Sequence, residues 1–227
     1  MKVVDLTGGL EPAIWRYEDV FPAFSSEAVT SVEEHGFEVR RVSLGTHMGT
    51  HTDALGHLVA GGPMIDAMPL ESYVAWATVL RPGPCQPLQA VTADALAAAG
   101  PTPRKGDAAL IWTGWASRWN QPDYASSHPF LTADAAQWLI DRGVRVVGMD
   151  TAGLMDPRID LTPSSATEEP IVDRMLMDAG IAYIAALVNV DAITADRPLF
   201  VAMPLKLVGL DGAPVRAVAI EGLDAGN

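Results

Sequence analysis

Apolar residues gather in short runs along the chain: Val3–Leu6, Phe37–Leu44, Val74–Leu80, Ala108–Trp112, Val144–Met149, Ile181–Val190, Leu199–Leu205 and Val215–Ile220. Most are of strand length, and Gly, Pro, Asp or Ser punctuate the stretches between them. Phe37–Leu44 partly alternates, as a half-buried strand does. Val144–Met149 is apolar except for Arg145, which fits a strand covered on both faces. Lys206–Leu210, Asp211-Gly212 and Val215–Ile220 read as a hairpin around an Asp-Gly turn. Helices are fewer. Thr132 is placed to cap Ala133–Arg142, with Trp138 and Leu139 as its buried stripe and Gly143 just past its end. Thr92 and Gly100 bracket Ala93–Ala99, and Glu169–Ala179 ends at Gly180. The pattern predicts an α/β domain with more strands than helices, spanning residues 1–227 without a linker or repeat.

Composition narrows the function. The chain has 227 residues, of which 49% are hydrophobic and 19% charged, so it can bury a large core. A net charge of −13 opposes nucleic-acid binding, which needs a basic surface. No apolar run is long enough to span a membrane, and the first residues do not resemble a signal peptide. Cys85 is the single cysteine, so no internal disulfide is possible. A cytoplasmic protein acting on a small molecule is the expectation.

The five histidines are unevenly spread. Three fall in His47-Met48-Gly49-Thr50-His51-Thr52-Asp53-Ala54-Leu55-Gly56-His57. Imidazole and carboxylate together suit a catalytic Zn, Mn or Fe, and thiolate is absent. On a helix, Asp53 would lie about 200° round from His51. On a strand, His47 and His57 would stand roughly 33 Å apart. The chain must therefore bend, and Gly45, Gly49 and Gly56 permit it. The motif is expected on a tight loop after the strand Phe37–Leu44.

That run resembles the His-x-Gly-Thr-His-x-Asp-x-Pro-x-His signature of the metal-dependent cyclase family, with Leu55 in place of the proline. Further similarities follow in the family's order: Val4-Asp5-Leu6-Thr7, Thr113-Gly114-Trp115 with Trp119, His128-Pro129-Phe130-Leu131, Gly148-Met149-Asp150-Thr151, Met203-Pro204-Leu205-Lys206 and Pro214-Val215-Arg216-Ala217-Val218. The resemblance implies a swivelling β/β/α domain with a mixed sheet, assembling as a homodimer or homotetramer. It implies one divalent metal, Zn or Mn, held by His47, His51 and Asp53. His57 would be the acid–base histidine, or a ligand of a second metal. The implied reaction is hydrolysis of a small amide, lactone or related carbonyl compound.

Two departures stand out. Family members with two metals carry a second-half His and, twelve residues on, a Glu; here those positions hold Asp173 and Ala185. No histidine follows His128. The alternatives are a single metal, or an oxygen ligand supplied by Asp173, Glu168 or Glu169. Cyclisation, dehydration or isomerisation on the same metal, and a non-catalytic binding role, are the alternatives to hydrolysis. Trp15 is a substrate-binding candidate. It and Tyr17 fall in an N-terminal loop suited either to stacking on a flat ring or to anchoring that segment. Asp150 and Asp156 follow an expected strand and read foremost as turn caps. Trp112, Trp115 and Trp119 read as core or interface, and His35 and His128 as solvated loop residues.

Overall fold

The computed structural model describes residues 1–160 and 171–223. The strands are β1 (Lys2–Asp5), β2 (Ser25–Thr30), β3 (Val39–Ser43), β4 (His51–Asp53), β5 (Val74–Leu80), β6 (Ala90–Val91), β7 (Ala108–Ile111), β8 (Phe130–Leu131), β9 (Val146–Met149), β10 (Ala182–Ala185), β11 (Leu199–Pro204) and β12 (Gly212–Glu221). The α-helices among the described residues are α1 (Val32–His35), α2 (Ala93–Ala98), α3 (Ala133–Asp141) and α4 (Val172–Asp178). The expected Glu169–Ala179 helix is thus seen from Val172; Glu168 and Glu169 lie outside the described residues.

The main sheet runs β1-β12-β11-β5-β7-β9-β10-β4, and β4 pairs again with β12. That second pairing closes the sheet into a ring, with β1 added along β12. Strands β5, β7, β9 and β10 are mutually parallel, and the remaining pairings are antiparallel. Long β12 makes the closure possible: Gly212–Pro214 pairs with β4, while Val215–Ile220 pairs with β11.

Alternation along the strands separates two cores. Leu110, Val146, Ile184, Phe200 and Ala217 fill the ring. Ile111, Val147, Met149 and Tyr183 face outward, against Leu96, Leu139 and Leu176 of α2, α3 and α4. A third cluster joins Ile14, Trp15, Trp115, Tyr124 and Trp119 beside the N-terminal loop. Thr92 Oγ1 accepts from Ala95 N at 3.2 Å and caps α2. Thr132 makes no such bond; its hydroxyl donates to Val91 O instead, so α3 begins without a side-chain cap. In α3 Leu139 is buried, whereas Trp138 is half-buried under the Arg142 guanidinium, 3.5 Å from its ring centroid.

Three expectations are corrected. Phe37–Leu44 is not half-buried: β3 is exposed throughout and pairs only with β2, in a separate two-stranded ribbon. The C-terminal hairpin pairs β11 with β12, not Lys206–Leu210, which forms the connecting loop. The loop begins after β11 because Pro204, opposite Val215, is the last paired residue. His128 is 2% exposed rather than solvated; its Nδ1 lies 2.8 Å from Pro129 O, which satisfies one ring nitrogen inside the protein.

Candidate active site

His47, His51, Asp53 and His57 do converge, and the chain achieves this with less loop than expected. His51–Asp53 is the closing strand β4, His47 sits in the turn before it, and His57 ends a single 3-10 turn after it. The period-2 geometry of β4 puts His51 and Asp53 on one face, away from Thr52. That face is shared by Tyr183 and Ala185 of β10, so the cluster lies on the helix-bearing side of the sheet, not inside the ring.

His47 Nδ1 is 2.6 Å from Asp53 Oδ1, and His51 Nε2 is 3.4 Å from the same oxygen. One ligand atom each from His47, His51 and Asp53 lies within 4.8 Å of the others, and all three residues are buried or nearly so. The donor set of two imidazoles and one carboxylate fits a divalent metal with positions left open. His51 Nδ1 is 2.8 Å from Gly49 O, which directs its Nε2 toward the cluster.

Asp211 was read from the sequence only as a turn residue, yet it belongs to the site. His47 Nε2 and His57 Nδ1 both approach Asp211 Oδ2, at 2.9 and 3.1 Å. His47, His57 and Asp211 form a second group of converging ligand atoms. Its partner in the turn, Gly212, has the His47 ring so close that a Cβ there would stand 2.7 Å from Cε1. The Asp-Gly signal was visible, but the contact with a histidine 164 positions away was not.

The electrostatics follow from these contacts. Burial disfavours charge on His47, but the bonds and charges of Asp53 and Asp211 outweigh it and lift the ring to about 9. Burial would raise Asp53; the bond from His47 and the charges of the three histidines hold it well below the usual carboxylate range. His51 is lowered by burial, which favours its neutral form. Asp211 is drawn down to about 2, its partial burial outweighed by His47 and His57.

A cavity of about 650 Å³ opens over the cluster. Tyr17 and Phe21 give it an aromatic wall, and His128, Asp156, Asp173 and Tyr183 line it further on. Trp15 is buried and is not among the lining residues; its ring meets Tyr17 edge-on at 5.3 Å. The Tyr183 hydroxyl donates to Asp53 Oδ2. Asp173 is a further partner of Tyr183, and burial with the nearby Asp53 charge lifts Asp173 to about 7. Asp173 belongs to neither ligand group, and its Oδ1 has no partner among the described residues. Ala185, in register with His51, contributes only a methyl group. Asp150 accepts from Thr113 N, Thr113 Oγ1 and Gly114 N, which makes it a buried turn fastener. Asp156 holds Arg158.

This sheet, carrying a His-His-Asp cluster beside a third histidine, is that of a metal-dependent hydrolase. The chain belongs to the Cyclase family, whose model matches residues 4–155. It is 30% identical over 185 residues to a kynurenine formamidase of Bordetella petrii, covering 81% of this chain and 80% of that one. It is 28% identical to a kynurenine formamidase of Maricaulis maris, covering 97% and 98%. Among solved structures, isatin hydrolase A from Ralstonia solanacearum superposes with a TM-score of 0.77 at 25% identity, covering 97% of this chain and 92% of that one.

Proposed function

We propose that the protein hydrolyses the C–N or C–O bond of a small, flat carbonyl compound, an amide or lactone, with one zinc or manganese ion held by His47, His51 and Asp53. The observation that carries this reading is the convergence of those three side chains at the floor of a cavity that also presents His57. A divalent metal in such a site lowers the pKa of water and polarises a carbonyl. The chain's own groups do the rest. His57 Nε2 is available to take a proton from the attacking water and deliver it to the leaving nitrogen or oxygen. Tyr17 and Phe21 receive the flat face of the substrate, with Trp15 fixing Tyr17 from behind. Asp53 is oriented by Tyr183, so its second oxygen is already engaged.

The chain acts as one domain in the cytoplasm, a reading consistent with its single buried, unpaired cysteine. No helix of the described residues is long and apolar enough to cross a membrane. It assembles as a homodimer or homotetramer. An isolated two-stranded ribbon is marginal in water, and the β2–β3 ribbon exposes Val29, Val39 and Val42.

The test is metal analysis of the purified chain, followed by a panel of aryl formamides, cyclic imides and lactones in heavy-oxygen water. About one metal per chain, lost in His51→Ala, with heavy oxygen in the product, is the expected result. Equal sub-stoichiometric metal in both proteins, or turnover without label incorporation, overturns it.

A further inference from the structure

We propose that Asp211 is the positioning residue of this site: one of its carboxylate oxygens takes the N–H of both His47 and His57, holding the metal-ligating ring and the acid–base ring in register. The inference rests on the hydrolase reading above for its catalytic consequence, but its structural content stands on the contacts alone.

Asp211 Oδ2 lies 2.9 Å from His47 Nε2 and 3.1 Å from His57 Nδ1. An ionised carboxylate only accepts, so each imidazole must present an N–H to it. The tautomers follow. Both ring nitrogens of His47 face carboxylates, Nε2 facing Asp211 and Nδ1 facing Asp53 Oδ1 at 2.6 Å; with Nε2–H given to Asp211, Nδ1 is the atom at which a metal would replace the proton. His57 carries hydrogen on Nδ1, leaving the Nε2 lone pair free to accept a proton. The two rings lie side by side, centroids 4.0 Å apart and tilted by 44°, so a single carboxylate can serve both. The backbone keeps Asp211 in place: its carbonyl accepts from Ala54 N at 2.8 Å, and the next residue, Gly212, pairs in register with Asp53. Gly212 lacks the Cβ that would collide with His47 Cε1. Asp211-Gly212 is thus a two-residue device, the glycine admitting the ring and the aspartate fixing its tautomer.

The experiment uses the full chain loaded with zinc, labelled with 15N in its histidines, as wild type, Asp211→Asn and Asp211→Ala. Both variants keep the backbone bond to Ala54, and the asparagine preserves shape. Long-range 1H–15N spectra are expected to show His57 protonated on Nδ1 in the wild type and shifted toward the Nε2 tautomer in Asp211→Ala. Zinc affinity, read by chelator competition, falls about 10–100-fold in Asp211→Ala. With a substrate in hand, kcat falls at least about tenfold while KM moves less than about threefold, the mark of a group that acts after binding. A wild-type His57 protonated on Nε2 overturns the proposal. So do variants that keep the Nδ1 tautomer and bind zinc within about twofold of wild type. A wild-type chain that turns over no substrate defeats the hydrolase reading alone, because the spectra and the zinc affinity still decide the role of Asp211.

Discussion

At the scale of single residues, the site depends on close approaches that leave little freedom. Gly212→Ala places a Cβ 2.7 Å from His47 Cε1 and 2.9 Å from Thr52 O, and the second of these is backbone that cannot swing away. The His47 ring must move, so metal affinity is expected to fall about tenfold or more, measured by chelator competition. His128 supplies a pH prediction. Burial lowers its pKa to about 4 from 6.5, with the bond to Pro129 and the Asp156 charge opposing the fall. The unfolded chain therefore binds a proton that the folded chain refuses. The stability is fully present above pH 6.5 and is lost as pH drops through the interval down to 4, by about 3 kcal/mol below both values. Urea melts from pH 7 to pH 4 should show this slope, and His128→Gln should flatten it. Residues with local chemistry were readable from the chain: His47, His51, Asp53 and His57 announced themselves by type and spacing. Asp211 and Tyr183 did not, because what makes them functional is a partner 130 or more positions away. His128 misled because its loop is polar by composition, while its burial comes from tertiary packing.

At the scale of elements, the runs that became β5, β7, β9 and β10 were legible to within a few residues, since burial on both faces writes a continuous apolar signal. β3 was seen as a strand but its environment was misjudged; the partial alternation of Phe37–Leu44 looks half-buried whether or not anything covers it. β4 was missed. Three polar residues carry no periodic signal, and the pairing that makes them a strand comes from β10 and β12. Packing between elements is tight where the parallel strands meet. A Cβ at Gly148 of β9 would stand 2.7 Å from Leu187 Cδ1 and 2.9 Å from Leu110 Cδ2. Gly148→Ala should cost about 1–3 kcal/mol in urea denaturation, while leaving metal binding intact.

At the scale of the whole molecule, the ring and the ribbon make different demands. The ring has its own interior core and a helix-covered outer face. The ribbon projects Val29, Val39 and Val42 to solvent, each 46% exposed or more. If those valines meet a second copy, Val42→Glu should shift the sedimentation profile toward a slower species without changing the metal content of each chain. Unchanged sedimentation from an oligomeric wild type would place the contact elsewhere.

The strand that carries His51 and Asp53 is also the seam of the ring: β4 is bonded to β10 on one side and to the start of β12 on the other. A divalent ion held there would work as a clasp, pinning the turn before the seam to the seam itself, with Asp211 at the far lip. Stripping the ion with a chelator should therefore speed amide exchange first at 51–53, 184–185 and 212–213, while β7 and β9 stay protected. In this protein, losing activity and beginning to unzip would then be one and the same event.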